Sequence, residues 1–302
     1  NQEVQPIREL LARDGDETYI KVQQSYTAFE KLGEIEKPSA KSITKSKFRK
    51  DTVKFGLGLG YTFEWLVKDN SSSQEIDMLQ AQALQADRVL IYRTMLDAML
   101  QSGTDGWWNA SYNNPDENLT TPPAYLSNTF AAGHTHFYTS GAASIVLADI
   151  TKAKNHIVEH GVTTVPGRWV LFHNSDETQA IEDLAGWTQA NRVESPIITT
   201  VALEGFQFRM LGVDFVETEA VPSGYFVLVW APTGDAWKPV RYVETNNAAG
   251  RGLILFPGDR NDYPIINSTY LHYLAAHIIR RGGGVAVQIT ANASYTNSTY
   301  KL

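Results

Sequence analysis

The most constraining feature of the sequence is a helical signature that runs unbroken from residue 71 to residue 103. Ser72 and Glu75, three apart within Ser71-Ser72-Ser73-Gln74-Glu75, supply a capping box at its start. Ile76, Leu79, Ala83, Leu84, Ala86, Leu90, Ile91, Met95, Leu96 and Met99 then recur at helical spacing. Gly103 suits the left-handed residue that closes a helix. About 30 residues at 1.5 Å each make a rod of roughly 45 Å. A rod of that length is a structural spine, and the remaining segments must be placed around it.

The stretch before the spine reads as two strands over residues 43–69. Val53, Phe55, Leu57 and Leu59 alternate with Lys54, Gly56, Gly58 and Gly60, followed by Tyr61, Phe63 and Trp65. Glycine at every second position leaves one strand face bare and open to another backbone. A lone hairpin of this kind is marginal in water and needs a partner surface. Residues 1–42 hold one short helical pattern at 6–13 and otherwise lack periodicity, so they read as an arm unable to bury its own surface. About 20 extended residues would reach roughly 60 Å.

After the spine, residues 103–137 are turn-rich, with Asn113-Asn114-Pro115-Asp116 and Thr121-Pro122-Pro123. A second helix is predicted from 141 to 160, closed by Gly161. Strands are predicted at 169–173, 197–203, 206–211, 213–217, 225–231, 239–245, 253–256 and 284–290, while 270–281 suits helix and strand equally. The order of elements gives an α+β class.

Composition removes several functions. The 302-residue chain is 43% hydrophobic, enough for a sizeable core, and has no cysteine, so disulfides, thiolate metal sites and cysteine nucleophiles are excluded. No apolar run approaches the ~20 residues of a membrane span. The formal charge of −7 argues against a protein held to nucleic acid by phosphate contacts. Charge is nonetheless segregated. Lys37, Lys41, Lys45, Lys47, Arg49, Lys50 and Lys54 face one acid, Asp51, a local +6 that leaves −13 on the rest. A basic run is ordinarily a solvated loop, but beside an acidic body it also suits self-association. Asn1-Gln2-Glu3-Val4 shows neither a starting Met nor a signal-peptide pattern, as expected where a leader is omitted from the numbering or has been removed.

Two histidine motifs call for a hearing. His156-Ile157-Val158-Glu159-His160 matches the inverted zinc-peptidase pattern, with two imidazoles one helical turn apart. No downstream helix offers a convincing third ligand, and histidine is favoured at a helix C-terminus anyway. His134-Thr135-His136 presents two imidazoles at alternate positions of a loop bounded by glycine, without a carboxylate cluster to complete a site. Neither is assigned a metal, and no cofactor is expected. Gly56-Leu57-Gly58-Leu59-Gly60 opens no helix and Arg281-Gly282-Gly283-Gly284-Val285 leads into a strand, so neither cradles phosphate. Five N-x-S/T sequons, at Asn109, Asn118, Asn267, Asn292 and Asn297, are read as chance in surface loops.

The run Lys54-Phe55-Gly56-Leu57-Gly58-Leu59-Gly60-Tyr61-Thr62-Phe63-Glu64 and the long helix behind it resemble the extended loop and spine helix of tailed-phage major capsid proteins, the Hong Kong 97-type fold. Gly167-Arg168-Trp169-Val170-Leu171-Phe172-His173-Asn174 is similar to a strand of that family's axial domain. Phe208 to Val216 with Val221-Pro222-Ser223-Gly224-Tyr225 is similar to its G-x-P-V … P-x-G passage, with Asp214 where proline is usual. Residues 280–290 are similar to its closing strand.

The resemblance implies an N-terminal arm (1–42), an extended β-hairpin loop (43–72), a peripheral domain carrying the spine helix (73–138 and 236–302) and an axial domain (139–235). It implies a non-enzymatic subunit that self-assembles with identical copies, as hexamers and pentamers, into an icosahedral head. That head would enclose double-stranded DNA without sequence-specific contacts and would work with a portal and possible decoration protein. Arm and loop would reach over neighbours, making Lys41, Lys45, Lys47, Arg49, Lys50, Lys54, Phe55, Tyr61, Phe63 and Trp65 the candidate inter-subunit contacts. Some relatives join subunits by a Lys–Asn isopeptide bond assisted by a glutamate. Residues 270–281 contain no acid, so non-covalent assembly is expected. The competing readings are an encapsulin, a cargo-loading compartment shell of the same fold, and a metal hydrolase using His156, Glu159 and His160. The long arm and missing Met favour the phage.

Overall fold

The computed structural model describes residues 4–16, 20–23, 45–48, 51–62, 73–103, 105–109, 122, 124–184, 188–189, 206–210, 212–257 and 265–298. Helix α1 (Val4–Leu11) leads directly into β1 (Ala12–Asp16), followed by β2 (Ile20–Gln23), β3 (Lys45–Phe48) and β4 (Val53–Thr62). The predicted long helix is α2 (Ser73–Leu100), 28 residues and so about 42 Å long. Beyond it lie β5 (Phe137–Thr139), α3 (Leu147–Val158), β6 (Gly167–His173), α4 (Thr178–Glu182), β7 (Thr188–Gln189), β8 (Phe206–Met210), β9 (Val213–Glu217) and β10 (Tyr225–Pro232). The chain continues through β11 (Val240–Glu244), β12 (Ile254–Phe256), β13 (Ile265–Ile278) and β14 (Gly284–Gln288).

Two sheets share a core with α2. One has seven strands in the order β5-β14-β10-β6-β9-β8-β7. Its strand β10, Tyr-Phe-Val-Leu-Val-Trp-Ala-Pro, is buried along its whole length. An unbroken apolar run suits a strand covered on both faces, and successive side chains leave it on opposite sides. Val227 and Val229 join the core with Met95, Leu96 and Met99 of α2. Phe226 and Leu228 join Ile150, Ala153 and Ile157 of α3. The other sheet runs β1-β11-β13-β12, with β4 on the free side of β13. Tyr242, Leu274, Ala276 and Ile278 bring it into the same core as α2.

Several expectations are corrected. Residues 4–16 belong to the body rather than to a free arm. Leu10, Leu11 and Ala12 are buried, and β1 pairs in parallel with β11 over five residues, from Ala12 opposite Val240 to Asp16 opposite Glu244. The two leucines at the end of α1 give it an apolar anchor, and the edge of β11 offers backbone partners to the residues that follow. Among the described residues of 43–72, β3 and β4 do not pair with each other. β3 is antiparallel to β2, while all ten residues of β4 pair with β13, from Val53 opposite Leu274 to Thr62 opposite Ile265. The ambiguous stretch 270–281 is mostly strand, because β13 is sandwiched between β4 on one side and β11 and β12 on the other. Asn267 accordingly lies in a strand, not a loop. β14 leaves the 236–302 stretch to join β10 in the seven-stranded sheet. Helix α3 is shorter than predicted, since Gly141 takes a left-handed φ of 77° and the Asp149 carboxylate accepts the Val146 N–H at 3.0 Å to set its start. Gly161, at φ 67°, follows its end as expected. The predicted strand at 197–203 lies outside the described residues.

Candidate functional site

The candidate contact residues separate when placed on the fold. Lys41, Arg49, Lys50, Phe63 and Trp65 lie outside the described residues. Lys45 and Lys47 stand on β3, and Lys54, Phe55 and Tyr61 on β4. Lys54 is exposed. Phe55 instead turns inward, packed against the main core. Phe55 and Leu57 share a face of β4 that lines a cleft with Ala83, Ala86 and Leu90 of α2, and with Tyr270 and His272 of β13. The opposite face of β4 carries the glycines, and a methyl group built on Gly58 would meet nothing within 4 Å. Beside this ribbon the first half of α2 is largely uncovered: Met78 is 62% and Leu84 50% exposed, as are Leu255 (46%) and Phe256 (52%) of β12. Bare backbone and unpaired apolar side chains thus collect around one sheet.

Beneath that sheet lies a buried charged cluster. His272 Nδ1 is 2.5 Å from Asp87 Oδ1 of α2, and its Nε2 is 3.5 Å from Glu244 Oε1 of β11. Tyr242 donates its hydroxyl to Glu244 at 3.1 Å, and the Arg8 guanidinium sits 4.4 Å from the centre of the Tyr242 ring. Burial opposes protonation of His272, but the hydrogen bonds to Asp87 and Glu244 outweigh it and raise its pKa to about 9. The bond from His272 correspondingly holds the Glu244 carboxyl below its usual value.

A second constellation joins the two histidine motifs. His136 precedes β5 and is fixed by its backbone, its N–H bonded to the Trp108 carbonyl and its carbonyl to the Ala286 N–H. His156 lies in the last turn of α3, with Glu159 and His160 just beyond it. The Nε2 atoms of His134, His136 and His160 form a triangle with sides of 3.1, 2.9 and 2.8 Å. His136 donates Nδ1–H to the Gly284 carbonyl at 2.6 Å, which in a neutral ring leaves the Nε2 lone pair facing the triangle. His156 donates Nε2–H to the Thr135 carbonyl at 2.8 Å, and its Nδ1 is 3.2 Å from Glu159 Oε1. Phe130 stacks on His160 at 4.2 Å between ring centres, and His134 stacks on His156 at 4.6 Å. Burial and the nearby His156 push His134 down to about 4. Burial, with His134 and His156, pushes His160 to about 3, and burial takes His136 well below its ordinary value. In the neutral form each of His134, His136 and His160 has one ring nitrogen with a lone pair to offer. Neither motif alone brings three such groups together, and the fold does so by setting the segment before β5 against the end of α3. The alternation of His134 and His136, and the one-turn spacing of His156 and His160, were visible in the sequence. Their meeting was not.

No family model and no curated protein sequence matches this chain. Solved structures do. A structure of Mycobacterium phage Patience aligns with 98% of this chain and 85% of its own, at a TM-score of 0.71 and 20% identity. The mature capsid of bacteriophage PhiM1 covers 96% of this chain and 87% of its own, at 0.57 and 12%.

The fold is that of the tailed-phage capsid proteins.

The same capsid fold is found in the SrpI encapsulin complex from Synechococcus elongatus PCC 7942, which covers 97% of this chain and 90% of its own at a TM-score of 0.55 and 10% identity. Among the described residues, no helix is long and apolar enough to cross a membrane.

Proposed function

We propose that this chain is the major capsid protein of a tailed double-stranded-DNA phage, a non-enzymatic subunit that assembles with identical copies into hexamers, pentamers and a closed icosahedral head located in the virion. The supporting observation is the uncovered sheet around β4. A ribbon whose glycine face is open at Gly58, next to the exposed Met78, Leu84, Leu255 and Phe256, is costly for an isolated chain and suits one buried by neighbours. Head-to-tail contacts between such subunits close into rings, and rings into shells. Residues 37–54, rich in lysine, would lie on a neighbour's acidic surface, and assembly would be non-covalent. Portal, DNA and any decoration protein are the partners of that assembly.

The likeness to the SrpI encapsulin supports a second reading, a compartment shell that encloses cargo. Negative-stain imaging of the purified chain at high concentration is expected to show closed particles. A population that stays monomeric would overturn both readings. Particles recovered from the native source are expected to contain double-stranded DNA; a cargo enzyme inside them would select the encapsulin.

A further inference from the structure

The geometry points to a zinc-type divalent metal site in this chain, formed by Nε2 of His134, His136 and His160 with the Glu159 carboxylate as fourth donor. Three features of the cluster carry the assignment. The first is that the triangle cannot be satisfied by hydrogen bonds alone. An imidazole Nε2 is either a donor or an acceptor, and in a triangle at least one side must then set like against like. A cation at the centre meets all three lone pairs at once. The second is size. A tetrahedral ion with metal–nitrogen bonds of about 2.0–2.1 Å holds its ligand nitrogens about 3.3 Å apart. The observed sides of 2.8 to 3.1 Å need only a small outward shift to match.

The third feature is the support behind the ligands. A metal-bound histidine characteristically donates its other ring nitrogen to a carbonyl or carboxylate. His136 does this to Gly284. His160 is backed by Gly282, where an added Cβ would stand 2.9 Å from its ring. Glu159 Oε1 lies 4.0 Å from His134 Nε2 and 3.2 Å from His156 Nδ1, so His156 orients the acid that completes the set. Three imidazoles select zinc, nickel, cobalt or copper over magnesium and calcium, which take oxygen ligands.

His136 and His160 are buried, and Glu159, grouped with His134 and His160, would fill the fourth position. So closed, the site would act as a staple. It ties the segment entering β5, at the edge of the seven-stranded sheet, to the C-terminal end of α3. All its ligands come from one chain, so the site stands or falls independently of whether the subunits form a shell.

The test uses tag-free protein stripped with a chelator, dialysed, and titrated with Zn²⁺ by calorimetry and by thermal unfolding. One equivalent per chain is expected, with an unfolding midpoint that rises with Zn²⁺ and returns on chelation, since a ligand of the folded state stabilises it. Co²⁺ in place of zinc is expected to give the visible absorption of a tetrahedral site. His134→Ala removes a ligand whose side chain is 10% exposed, and is expected to weaken Zn²⁺ binding by at least about tenfold, with a smaller Zn²⁺-dependent rise above its own metal-free midpoint. His160→Ala is expected to do the same if it folds. Folded, stripped protein that takes up less than about a tenth of an equivalent would overturn the site. So would unchanged affinity in His134→Ala.

Discussion

His272 shows how one residue can set the pH range of a fold. Its pKa of about 9 in the folded chain lies above the 6.5 of a free imidazole. The ion pairing it makes therefore contributes fully below pH 6.5 and is lost as pH rises through about 9. Glu244, shifted below its ordinary 4.5, contributes above that value and loses its contribution as pH falls further. Between these limits both terms operate. Urea unfolding at several pH values is expected to show stability falling from pH 6.5 to 9, with that slope abolished in His272→Gln. Because the substitution removes the imidazolium that bridges Asp87 and Glu244, it is expected to cost about 3 kcal/mol at pH 7. A variant as stable as the parent would mean that the carboxylates are already neutralised by other groups. This cluster was not legible in the sequence. Asp87, Glu244 and His272 are far apart along the chain, and only the docking of α2 on β11 and β13 brings them together.

At the scale of elements, α2 was the most legible part of the chain, because its capping box and apolar spacing are local properties. The same spacing did not tell which apolar positions the subunit itself covers. Met95, Leu96 and Met99 are fully buried, whereas Met78 and Leu84 are not. Leu96→Ala is expected to destabilise the isolated chain by about 2–5 kcal/mol in chemical denaturation. Leu84→Ala is expected to stay within about 0.5 kcal/mol there and to act instead on particle yield. Equal losses of stability from both would show that the first half of α2 is covered within the subunit after all. Strand pairing was the least legible feature. Alternation marked β4 as a strand, but its partner β13 lies some two hundred residues later, in a stretch whose Tyr, His and Ile content suits either structure. The β1–β11 pairing was hidden for the same reason, since nothing in Ala12 to Asp16 reads as a strand by composition. The seven-stranded sheet was easier, because an apolar run such as β10 declares a strand buried on both faces without naming its neighbours.

For the whole molecule, the decisive property is charge segregation: a local +6 in residues 37–54 against a chain of −7. Within a proposed shell this asymmetry favours arrangements that lay one copy's basic stretch on the next copy's acidic surface. Reversing Lys45, Lys47 and Lys50 to Glu is expected to lower particle yield and to remove its salt sensitivity, read by sedimentation across a salt series. Yield and salt response identical to the parent would separate this stretch from assembly. The strand pairing adds a length scale. β1 ends at Asp16 and β4 begins at Val53, and both are rooted in the same sheet. The intervening chain, whose β2 and β3 run antiparallel, must leave and return to one anchorage. Its greatest reach is therefore set by half its contour, about 18 residues or roughly 60 Å. In the proposed shell such a tether would work as a ruler: an inserted residue pair would lengthen both limbs together, and the residue count between those two strands would set how far from its own subunit the tip could reach.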